Sequence, residues 1–146
     1  MDIKVTKEQY EKLLHLAYLG NWIVNAYRTE DFLEEYNAEA ERIYSYAPAF
    51  GFKDKIEFDE LEGRTFPAAR LEEDLDELVE DYDDWSFWDL LILKLAERDT
   101  VREYGQAAVD HMTDKELEEK RAPYIKKYEK EIEAHGIENL EIYKIS

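Results

Sequence analysis

Nine carboxylates, Glu72, Glu73, Asp74, Asp76, Glu77, Glu80, Asp81, Asp83 and Asp84, fall within 13 residues and form the densest array of chemically active side chains in the sequence. On a helix rising 1.5 Å per residue they span about 20 Å. That is one charge per ~2 Å, close to the one per ~1.7 Å of duplex DNA. Glu72, Glu73, Asp76, Glu77, Glu80, Asp81, Asp83 and Asp84 are therefore the candidate partner-binding residues, and the partner they suit is basic. A solvated face opposite a core stripe of Leu71, Leu75, Leu78, Val79 and Tyr82 explains the same pattern. Asp81, Asp83 and Asp84 lie at the end of this helix that the dipole disfavours, but they also approach the start of the next, which Asp84 or Ser86 could cap.

Helical spacing turns a second group of polar residues inward. Asn21 and Asn25 stand one turn apart beside Gly20, and Asn21 shares a side with Ala17 and Val24. A buried amide needs partners or costs about 1–3 kcal/mol, so the pair is expected to hold a neighbouring loop or helix end. Gly20 would admit a close backbone approach. Asp99 falls on the apolar stripe of Trp88, Leu91, Ile92, Leu95 and Ala96, where a carboxylate requires a cation. Arg102, Arg98 or Arg28 could supply it. An ion pair that fixes packing, or an N-cap at a helix break before Thr100, accounts for Asp99 better than a catalytic acid does. Asn21, Asn25, Asp99 and Arg102 are the candidate buried polar residues.

No catalytic residue is assigned, and no metal or cofactor is expected. The three histidines lack both His-Glu-x-x-His and Glu-x-x-His spacing, and His15 shares a polar stripe with Glu8, Glu11 and Lys12 that reads as solvent-facing. Asp81-x-Asp83-Asp84 lacks the glycine and closing Glu of an EF-hand. Glycine-rich nucleotide loops and the Gly-x-Ser-x-Gly elbow are absent, as is cysteine, which removes thiolate sites and disulfides.

The elements that must carry these residues read as mainly helical, about five helices in one domain over residues 1–146. Thr6 with Gln9 opens a first helix from Lys7 to about Tyr27. Phe32 to Ala47 gives a second, stopped by Pro48. The acidic helix is third, and Ser86 with Asp89 opens a fourth from Phe87 to about Tyr104. Thr113 with Glu116 starts the last, running to Gly136 with a kink or break at Pro123. Asp2–Val5, Lys55–Asp59 and Leu140–Ile145 have strand character and are expected to form a small minor sheet. Trp22, Ile23, Leu91 and Leu95 are expected to be nearly buried.

A net charge of −18, from 37 acids against 19 bases, exceeds the magnitude of about 2–8 that suffices to keep a small domain soluble. Between Glu57 and Asp84 there are 13 acids and two bases, and between Thr29 and Glu41 six acids and no base. Such a field disfavours direct contact with nucleic acid or anionic lipid. The longest aliphatic run, Leu90–Leu93, is far short of the ~20 residues of a membrane span, so a cytoplasmic protein is expected. Aromatics make up 14% of the chain and suit interfaces and cores alike.

Gly20-Asn21-Trp22, Phe87-Trp88 and Leu95-Ala96-Glu97-Arg98-Asp99 resemble a pattern in small uncharacterised acidic proteins of bacteria. The resemblance implies a bacterial or phage origin and carries no activity with it. The residues lead first to a non-catalytic acidic protein that binds a basic protein surface. The alternatives are a nucleic-acid mimic of the anti-restriction or anti-CRISPR kind and a carboxylate-dependent enzyme, for which no supporting pair of acids is found.

Overall fold

Thr6 and Gln9 close a reciprocal capping box, with Thr6 N–H donating to Gln9 Oε1 at 2.9 Å and Gln9 N–H to Thr6 Oγ1 at 3.3 Å. Helix α1 (Lys7–Asn25) follows. The computed structural model describes residues 3–141. Among these the chain is mainly α. After α1 come α2 (Glu34–Tyr44), strands β1 (Ile56–Asp59) and β2 (Arg64–Pro67), α3 (Ala69–Glu73), α4 (Asp76–Tyr104), α5 (Gln106–Val109) and α6 (Asp114–His135). The chain divides into two compact units, Met1–Glu80 and Asp81–Ser146, with the division falling inside α4.

In the first unit Tyr10 and Leu14 of α1, Ala40 and Tyr44 of α2, Ala47, Phe52, Leu71 and Leu75 form the buried core. Phe50 stacks on Tyr10 with ring centroids 4.0 Å apart, and the Tyr10 hydroxyl donates to the Ile43 carbonyl at 2.6 Å. Burial pushes the Tyr10 pKa up to about 12. The second helix stops at Tyr44 and does not reach Ala47. Ala47–Phe50 instead forms a 3-10 turn with Pro48 in its first positions, closed by Gly51 at φ +84°. There a side chain would be strained and its Cβ would lie 3.2 Å from Lys7 Nζ.

The sheet is an antiparallel hairpin in which Ile56 faces Pro67 and Asp59 faces Arg64. Asp59 Oδ1 accepts from the Leu61 and Glu62 N–H groups and fixes the turn. Strand β1 pairs with Arg64–Pro67, not with the terminal segments. Ile3–Val5 is irregular, while Asp2 and residues 142–145 lie outside the described residues.

The acidic helix is not one element followed by a break near Ser86. It breaks earlier, at Asp74–Leu75, and then runs unbroken from Asp76 to Tyr104, a stretch with neither Gly nor Pro. Ser86 does not cap. Its hydroxyl donates back to the Asp83 carbonyl at 3.3 Å, and that of Thr100 to Ala96 at 2.8 Å, so the helix passes through Thr100 as well.

In the second unit Gly105, at φ +82°, ends α4, and a capping box of Thr113 with Glu116 starts α6. Helix α6 continues through Pro123, which lies on its exposed side together with Glu119, where water can reach the carbonyl that loses its donor. The expected burial of the large apolar residues fails in part. Ile23 is 51% exposed, while Trp22, Leu91 and Leu95 are only half-buried. The buried face of α1 carries Tyr10, Leu14 and Asn25, and Ile23 lies off it.

Candidate functional site

The amides are the innermost of the singled-out residues. Asn25 Nδ2 donates to Asn21 Oδ1 at 2.8 Å and to the Leu33 carbonyl at 3.2 Å, while its Oδ1 accepts the Leu33 N–H at 2.9 Å. Leu33 is the N-cap residue of α2 and brings no side-chain cap, so a buried amide from α1 seats that helix start. The chain of bonds continues from Asn21 to Asn37 at 3.2 Å, from Asn37 to Glu41 at 2.7 Å, and from Arg64 on β2 to Glu41 and Glu34. Asn21 also lines a cleft of about 230 Å³ with Tyr18 and Trp22, but its amide is engaged within this chain. Gly20 makes no close approach, since a Cβ there would meet nothing within 4 Å.

Sequence reasoning missed an ion cluster in the same unit. Lys55, buried at the foot of β1, donates to Glu11 Oε1 and Asp74 Oδ2, both at 2.8 Å, and its Nζ lies 3.5 Å from His15 Nε2. Burial works against the ammonium, yet the hydrogen bonds to Asp74 and Glu11 outweigh it and raise the Lys55 pKa. The same bonds from Lys55 lower both carboxyls. His15 is half-buried rather than solvent-facing. Burial, Lys55 and Lys12 depress its pKa against the opposing pull of Glu11 and Asp74. Spacing shows Glu11 and His15 one turn apart, but only the tertiary fold brings in Lys55 and Asp74. An ammonium held charged between two carboxylates is a packing device and no nucleophile.

In the second unit Asp99, with a side chain 14% exposed, accepts from Tyr128 Oη and from Arg98 Nε at 3.0 Å and Lys127 Nζ at 3.3 Å, while Arg102 lies 3.5 Å away. Burial alone would raise its pKa. The hydrogen bonds from Tyr128, Arg98 and Lys127 prevail and hold it at about 2. Arg102, expected to be buried, is 68% exposed, and Arg28 instead pairs with Asp31. A cleft of about 550 Å³ between α4 and α6 is lined by Leu95, Arg98, Tyr128 and Ile132, but not by Asp99. A carboxylate ionised this firmly, with its oxygens occupied, has no proton to give and no free lone pair for a substrate. Among the described residues no group of three or more His, Asp or Glu is placed to hold a metal.

The acids behave differently. Glu72 and Glu73 on α3, and Asp76, Glu77 and Glu80 on the first turns of α4, are exposed. So are Asp81, Asp83 and Asp84 in the second unit. Of the array only Asp74 is drawn inward, to Lys55, and Glu73 meets Arg70 at 3.9 Å. Among the described residues the other seven have no Lys or Arg within ion-pair distance. Leu78, Tyr82 and Trp85, read as core or unassigned from spacing, are exposed beside them, Trp85 to 63%.

No family model, no curated protein and no solved structure matches the chain. No helix among the described residues is long and apolar enough to cross a membrane.

Proposed function

We propose that this protein acts without catalysis, by offering its unpaired acids to a basic surface on another protein. The observation that carries the proposal is the state of Glu72, Asp76, Glu77, Glu80, Asp81, Asp83 and Asp84: exposed, close together in sequence, and left without cations among the described residues, although Lys55 and Asp99 show that the chain elsewhere builds full ion clusters. Unpaired like charges destabilise the fold that carries them, and a basic partner relieves that repulsion. The buried or half-buried Lys55 and Asp99, in contrast, are fully engaged and serve packing, while the buried Nε of Arg121 has no hydrogen-bond partner among the described residues.

Replacing Glu73, Asp76, Glu77 and Glu80 by Gln or Asn tests this. Melting temperature should hold or rise, while capture of basic proteins from a host lysate should be lost. In the unsubstituted protein, capture should weaken steeply from low to physiological salt. Unimpaired capture by the neutralised variant would refute the proposal.

Helix geometry also supports a second reading, in which the acids imitate phosphates, because Asp76 and Glu80, like Asp81 and Asp84, stand one turn apart on exposed helix surface. Duplex DNA would then compete for the captured partner. The exposed Leu78, Tyr82 and Trp85 favour the broader reading, since they offer apolar contact that a phosphate backbone does not.

A further inference from the structure

Within the second unit, the polar and cation–π contacts between α4 and α6 among the described residues run from Glu97 to Tyr104. Glu97 meets Arg121, Arg98 and Asp99 meet Tyr128 and Lys127, Glu103 meets Tyr124, and Tyr104 meets Lys120. The part of α4 before them, from Asp81 to Leu90, carries Tyr82, Trp85, Phe87 and Leu90, all about half exposed or more. At 3.6 residues per turn Tyr82 and Trp85 share one face of the helix, whereas Leu90 and Phe87 lie about 80° and 140° round from Tyr82, so the contiguous exposed apolar surface is Tyr82 with Trp85. Tyr82 and Trp85 stand one turn apart with rings 6.2 Å between centroids, which makes a ridge, and Asp81 and Asp89 flank it on the helix.

Charge decides what fits there. From Leu71 to Leu93 the sequence holds ten acids and no Lys or Arg. A second copy laid on this surface would bring acids against acids, and an anionic membrane or nucleic acid would do the same. Resting on the proposed function and narrowing it, we infer that Asp81–Leu90 is the docking surface for a basic amphipathic helix of another protein. Its apolar side chains lie on Tyr82 and Trp85, and its Lys or Arg residues pair with Asp81 and Asp89 beside that ridge; Asp83 and Asp84 lie about 130° round the helix from it, and Asp84 accepts from Trp88 Nε1 at 3.0 Å. The surface is about 15 Å long, so roughly three turns of the partner engage it.

The probe is a synthetic 18-residue peptide of Lys and Leu with its leucines at helical period, beside a scrambled peptide of the same composition and a Glu/Leu counterpart. Titrated by calorimetry into the full chain, the periodic Lys/Leu peptide should bind at least tenfold more tightly than the scrambled one, and the Glu/Leu peptide should not bind. Tyr82→Ala with Trp85→Ala, and separately Asp81→Asn with Asp89→Asn, should each weaken binding at least tenfold with circular dichroism unchanged. Neutralising the exposed hairpin acids Glu57, Glu60 and Glu62 should leave it within twofold. Equal losses from the hairpin variant, equal binding of the scrambled peptide, or sedimentation showing self-association that Trp85→Ala abolishes would overturn the inference. Lysate capture that survives Tyr82→Ala/Trp85→Ala yet fails on neutralising residues 73–80 would overturn this surface while leaving the proposed function standing. Loss of neither would overturn both.

Discussion

Replacing Asp99 by Asn should destabilise the second unit at neutral pH and do so much less in acid. The Asp99 carboxyl sits at about 2 against an ordinary 3.8, and each unit of such a shift corresponds to about 1.4 kcal/mol. The full difference is therefore about 2.5 kcal/mol, trimmed to about 1–2 by the water that reaches its rim. Because the folded-state value is depressed, this stabilisation is complete above pH ~5 and disappears as pH falls through 4 toward 2. Trp85 and Trp88 lie in the second unit and Trp22 in the first, so urea unfolding followed by fluorescence in a Trp22→Phe background reports the second unit alone. At pH 7 Asp99→Asn should lower stability by about 1–2 kcal/mol, and at pH 2.5 by about a third of that. A loss that is the same at both pH values would mean that the carboxylate's charge contributes nothing and that only packing was removed.

Three further outcomes follow from the first unit. Asn25→Ala leaves the Leu33 N–H unpartnered and removes one bond from its carbonyl, which keeps the Tyr36 N–H at 3.2 Å, and should cost about 1–3 kcal/mol in thermal or urea unfolding, with the less buried Asn21→Ala costing less. Gly20→Ala, at an exposed helical position with open space for a Cβ, should stabilise by about 0.5–1 kcal/mol in the same assay. His15, whose pKa is depressed below 6.5, is neutral in both states at higher pH and takes up its proton more readily unfolded. Melting temperature should therefore begin to fall below pH ~6.5, and His15→Gln should delay the fall to more acidic pH, where the carboxyls of Glu11 and Asp74, lowered by their bonds to Lys55, become protonated.

Helix starts were legible in the sequence wherever a side chain closes a local ring, as Thr6 with Gln9 and Thr113 with Glu116 do. Ser86 with Asp89 has the same look but is false. A Ser inside an uninterrupted helix satisfies itself on the preceding turn, and spacing alone does not distinguish that from capping. Strand β2 was missed because four residues ending in Pro67 leave almost no alternation to read. Of the polar residues, the role of Asn25 in holding a helix end and the cations around Asp99 at i−1 and i+3 could be read locally. Lys127 and Tyr128, which complete that cluster from α6, could not, nor could Lys55 with Glu11 and Asp74, because long-range placement leaves no mark on periodicity.

The stretch from Leu71 to Leu93, without a single lysine or arginine, also governs which reagents can reveal it. Trypsin finds no bond to cleave between Arg70 and Lys94, so this stretch leaves a digest as one long peptide however exposed it is. Amine-reactive crosslinkers find nothing to label there and would report a bound partner as absent. Carbodiimide coupling, which joins carboxylates to a neighbour's lysines, is the chemistry that would mark a partner lying on this surface.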